Sequence, residues 1–140
     1  MNLKYKTLAI TSITLINILL LMSVPSDSKP VVKTLQKSPN GIYVYGSVRL
    51  RKQGGAMYII IKKQGRNFVS SGYIYQSDGG CSSGTISGNT LNERRVYRGM
   101  EDEKGIVKTN SQTNLSNLYK LSPTVEDREG VQGCIDIMNK

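Results

Sequence analysis

A chain of 140 residues with no histidine and two cysteines lacks the base of the usual Ser-His-Asp and Cys-His sites, and it lacks the commonest metal ligand. Nineteen Lys and Arg against ten Asp and Glu give a formal charge of +9, which serves either solubility or attraction to anionic partners. The length suits one small domain and is too short for two.

Lys4 and Lys6 precede an apolar stretch from Leu8 to Met22, and small and polar residues follow it. That order is the pattern of a secretory signal. Thr11, Ser12, Thr14 and Asn17 dilute the stretch, and it falls short of the roughly 20 apolar residues of a spanning helix. Residues 1–26 are therefore predicted as a signal peptide, with an uncleaved anchor as the alternative. Ser26 and Ser28 are the candidate last residues, and loss of Lys4 and Lys6 brings the formal charge to +7. The expected location is the periplasm, the cell envelope or the extracellular space, or the membrane surface if the segment stays attached. Export sets nucleic acid aside. Anionic polysaccharide, lipid head groups or an acidic protein surface remain as partners.

Residues 27–39 have no apolar cluster and contain Pro30 and Pro39, and they are predicted as a linker to a single domain over 40–140. Strand-like runs follow: "GIYVYGSVRL", "AMYIIIKK", "NFVSSGYIYQ", "CSSGTIS" and "TLNERRVYR", parted by "RKQGG", "KQGR", "SDGG" and "GN". Short β-rich runs with Gly, Asn and Asp between them predict a mainly β fold: an antiparallel meander forming a small barrel or sandwich. Gly88-Asn89, with glycine first, suits a two-residue turn of the II′ type. Alternation puts Ile42 and Val44 on one face and Tyr43 and Tyr45 on the other; continued past a bend at Gly46, it opposes Val48 and Leu50 to Arg49 and Arg51. "MYIII" is apolar at every position, as in a strand covered on both faces. "GMEDEKG" reads as a charged loop, "IVKT" as a short strand, "NSQTNLSN" as a mobile connection and "LYKL" as a last strand.

The period changes at the C-terminus. Thr124 and Asp127 have the spacing of a capping box, and Val131, Cys134, Ile135 and Met138 fall on one helical face, which predicts a short helix over about 125–138. Two cysteines in an exported chain most simply pair. Cys81, at the start of a strand, would then pin Cys134 and the helix to the sheet.

The order "NGIYVYG", "SGYIYQSDGGCSSGTISGNTL" and "LYKLSP" before a late cysteine resembles a group of small uncharacterised exported proteins of cyanobacteria. The resemblance implies a β-rich exported domain and no particular chemistry.

Among candidate sites, paired carboxylates could come from Asp78 and from Glu101, Asp102 and Glu103, but a turn aspartate and a solvated loop are the favoured readings of these residues. Calcium-loop and Walker spacings are absent from the sequence, and no cofactor is expected. Asn114-Leu115-Ser116 matches a glycosylation sequon, which matters only in a eukaryotic secretory pathway. Tyr43 with Tyr45, and Tyr73 with Tyr75, are i, i+2 pairs. Should their faces adjoin near Arg49 and Arg51, they would form a basic, tyrosine-bearing ligand surface. The alternative is a closed or half-closed barrel whose interior, lined by Ile42, Val44, Met57, Ile59 and Ile61, carries a small apolar ligand in the manner of a lipocalin. The first expectation is a non-enzymatic binding or structural module; the carrier is second and an enzyme with paired acids third.

Overall fold

The computed structural model of the chain describes residues 33–99 and 105–140. The predicted signal segment and the acidic cluster Glu101–Glu103 lie outside the described residues. Among the described residues no helix is long and apolar enough to cross a membrane.

Among the described residues, eight strands and one helix follow in order: β1 (Gly41–Gly46), β2 (Met57–Gln64), β3 (Asn67–Ile74), β4 (Gly79–Ser87), β5 (Thr90–Tyr97), β6 (Val107–Lys108), β7 (Gln112–Asn114), β8 (Tyr119–Leu121) and α1 (Val125–Met138). They form one antiparallel sheet in the order β6-β5-β4-β3-β2-β1-β8, with β7 also on β5. The β4–β5 hairpin closes on Gly88-Asn89 between Ser87 and Thr90. Gly88 has φ 59° while Asn89 is not among the positive-φ residues, as a II′ turn requires.

The connection from β7 to β8 bends this sheet. Six inter-strand spacings separate the two strands along the sheet, roughly 29 Å if it were flat. The step from Asn114 to Tyr119 covers at most roughly 17 Å of extended chain. The sheet must therefore curl until its two ends approach, and Leu115 and Leu118 pack inside the curl with Leu35, Tyr45, Ile59, Ile61, Phe68, Ile86 and Leu91. The result is a half-closed barrel, open between β7 and β8.

The opposite, convex face carries α1. Val131 packs on Val44 and Ile60, and Cys134 is bonded to Cys81 at an S–S distance of 2.04 Å beside Met138. The capping box is complete: Thr124 Oγ1 accepts from the Asp127 N–H at 3.2 Å, and the Thr124 N–H donates to Asp127 Oδ2 at 2.8 Å. Alternation along β2 now has its reason, since Tyr58 and Ile60 face the helix side while Ile59 and Ile61 face the curl. In the helix Gly133 has open space where a Cβ would stand. Gly133→Ala is expected to raise stability by about 0.5–1 kcal/mol, read as a higher urea midpoint with unchanged slope.

Three expectations change. The strand of "GIYVYGSVRL" stops at Gly46, where the chain folds back so closely that a Cβ would meet Leu121 Cδ1 at 2.9 Å and the Val48 carbonyl at 3.0 Å. Val48 to Arg51 therefore lie in a loop, and Leu50 is exposed. The packed chain reaches back into the predicted linker, where Leu35 is fully buried and its N–H donates to Asn89 Oδ1 at 2.8 Å. "NSQTNLSN" is held in place by β7, with Leu115 anchored in the core.

Candidate functional site

The two tyrosine pairs do not share a surface. Tyr43 and Tyr45 sit opposite Ile61 and Ile59 and face the curl, whereas Tyr73 sits opposite Tyr58 and faces the helix side, its ring 5.3 Å from that of Tyr58. Alternation orders residues within a strand, but the register between strands decides which pairs adjoin. Tyr43 donates to the Pro39 carbonyl at 2.7 Å and lies 5.1 Å from the Lys120 ammonium. Arg49 stacks over Tyr119 at 5.0 Å. Arg51 is committed to the fold: it donates to Asp127 Oδ1 and Oδ2 at 3.2 and 2.7 Å and to the Ser122 carbonyl at 2.7 Å.

Three of the six residues do meet, at the start of α1, where Arg51, Tyr73 and Tyr75 border a recess of about 400 Å³ with Lys52, Thr124 and Glu126. Burial pushes the Tyr73 phenol up, and the nearby Asp127 charge adds to the shift, so this hydroxyl stays a neutral donor. Burial likewise raises Tyr45. The Arg51 guanidinium is already turned to Asp127 and Ser122, which leaves Lys52 as the other basic side chain bordering the recess.

A second cavity lies inside the curl. Gly72 pairs with Gly80 and Ser70 with Ser82 across β3 and β4, and these four small residues all point toward the concave face. Ser70, Gly72 and Ser82 leave a hollow of about 440 Å³ where a core sheet would carry larger side chains, whereas Gly80 lets β5 approach, since a Cβ there would meet the Tyr97 carbonyl at 2.8 Å. Ile59 and Val96 wall it, and Met57 and Ile74, directly opposed across β2 and β3, form an exposed apolar lip. Asp78 and Arg98 stand among the residues bordering the hollow.

The polar wall of the hollow depends on a bulge. Between Ser83–Arg95 and Gly84–Glu93 the β4–β5 register shifts by one residue, and Arg94 is the extra residue, turned to Asn110 Oδ1. A Cβ on Gly84 would collide with the Asn92 carbonyl, so only glycine lets the strands approach here. The bulge leaves both Glu93 and Val96 facing the hollow. Glu93 accepts from Ser82 Oγ at 3.3 Å, Thr113 Oγ1 at 3.4 Å and Ser111 Oγ at 2.5 Å. Since the one Ser82 proton points to Glu93, the 2.8 Å contact between Ser70 and Ser82 has Ser70 as donor.

The predicted apolar lining divides between faces: Met57 and Ile59 border the hollow, Ile61 is in the core beside it, and Ile42 and Val44 face the helix. Glu93, Ser70 and Ser82 were not anticipated. Their sequence signal is small residues at every second position of adjacent strands, "SSG" against "GCS". Among the described residues no group of three or more His, Cys, Asp or Glu side chains could hold a metal ion. Comparison with family models, with curated proteins and with solved structures finds no match for this chain.

Proposed function

We propose that this chain is an exported, non-enzymatic binding module that holds a small amphipathic ligand in the concave hollow of its sheet. The observation that carries the reading is the set of small residues Ser70, Gly72 and Ser82 on adjacent strands, which leaves about 440 Å³ beside the exposed Met57–Ile74 lip. A volume of this size lies within the range of small-molecule sites, and such sites combine apolar walls with a few placed polar groups. Exposed apolar side chains next to one another at a cavity mouth are a mark of a binding surface. Export is supported by the signal-like N-terminus and by the Cys81–Cys134 bond, which persists in oxidising compartments. The net positive charge would keep the module near anionic polysaccharide or lipid head groups, independently of the hollow.

Gly72 offers a clean test. A Cβ there meets nothing closer than the Tyr58 carbonyl at 4.0 Å, and valine suits a strand. Gly72→Val is therefore expected to fill the hollow, leave the thermal midpoint within about 3 °C and weaken binding of an environment-sensitive apolar dye by about ten-fold. Equal dye binding by a folded Gly72→Val variant would move the site elsewhere.

A further inference from the structure

Building on the hollow as the ligand site, we infer that its ligand carries a primary ammonium head on a short apolar tail, with Glu93 as the head-group receptor. The Glu93 carboxylate is half-buried on the wall of the hollow. In a chain with nineteen basic residues, the ion pair found among the described residues is Arg51–Asp127, and Glu93 is met by hydroxyls instead. An ionised carboxylate has about four acceptor positions. Three hydroxyls reach Glu93, two of them at the long distances of 3.3 and 3.4 Å, so acceptor capacity remains on a carboxylate that borders the hollow.

These hydroxyls fix the carboxylate without neutralising it. The Ser70 to Ser82 to Glu93 relay orients one oxygen, and Ser111, whose carbonyl also accepts the Glu93 N–H at 2.9 Å, holds the other. A preorganised acceptor of this kind selects a donor bearing positive charge, because a charge-assisted hydrogen bond in a partly desolvated site is the strong type. Ser70 and Ser82 add lone pairs for a second and third ammonium proton. Met57, Ile59, Ile74 and Val96 offer the tail an apolar wall that ends at the open lip. Arg98, the basic side chain among the lining residues, is exposed, and Asp78 borders the same hollow.

The protein's overall charge makes the test discriminating, since a positively charged surface left to itself prefers an anion. The isotope-labelled described domain within the full chain is titrated with octylammonium, octanol and octanoate, following backbone amide shifts of residues around the hollow. The wild type is expected to bind octylammonium about ten-fold tighter than octanol and octanoate least. Glu93→Gln should bring octylammonium down to the octanol level and leave octanol unchanged. If octanol binds in the hollow and octylammonium binds no better, the head-group assignment is overturned while the hollow stands as the site. If none of the three shifts the hollow's residues, the site itself is wrong. Should Glu93→Gln fail to fold, the wild-type order decides: octanoate at or above octylammonium contradicts the inference.

Discussion

Cys134→Ser is expected to lower the thermal unfolding midpoint by about 15 °C and to release α1 from the sheet. The bond joins positions 53 apart, and closing such a loop in the unfolded chain corresponds to about 4 kcal/mol in the chain-entropy view. In a domain of this size, each kcal/mol moves the midpoint by about 4 °C. The helix has little intrinsic stability of its own. Its buried side chains are Asp127, Val131, Cys134 and Met138, its last turn has no basic residue, and it contains Gly130 and Gly133. A 14-residue helix of that composition is marginal by itself. Circular dichroism should show helix loss at temperatures where the strand signal persists, and an unchanged midpoint would contradict the role given to the bond.

Asp127→Ala should destabilise by about 3 kcal/mol, read from urea unfolding. Asp127 is 4% exposed and serves two structures at once. It completes the cap with Thr124, and it receives Arg51 from the β1–β2 loop. Loss of a cap costs about 1 kcal/mol. Stripping a buried ion pair of one member costs about 3–5 kcal/mol when both are fully buried. Arg51 keeps 26% of its side chain exposed and can rehydrate, which brings the second contribution toward 2 kcal/mol. Arg51→Ala is the informative companion, since it leaves the more deeply buried carboxylate without its cation. A loss under 1 kcal/mol in both variants would show that the loop and the helix are not coupled through this pair.

The strands and the helix were legible because each has a period. Ile42, Tyr43, Val44 and Tyr45 alternate, and Val131, Cys134 and Met138 recur at helical spacing, with Ile135 half-buried at the edge of that face. Leu35 and Leu115 were not legible, since each is flanked on both sides by polar residues, and such a residue acquires a partner only when the sheet curls over it. The split of the tyrosines was hidden for a related reason. Tyr73 lies on the helix side because it opposes Tyr58, and a register between strands leaves no mark within either one. The hollow was the least legible feature. It arises from side-chain volume that Gly72, Ser70 and Ser82 omit, and patterns of hydrophobicity record residues that are present.

The concave hollow as the ligand site is tested most directly by intermolecular nuclear Overhauser contacts between bound octanol and the methyl groups of the protein. Contacts to Met57, Ile59, Ile74 and Val96, with none to Ile42 or Val44 on the helix side, are the predicted result. Contacts confined to the helix side or to the recess around Tyr73 and Tyr75 would contradict it.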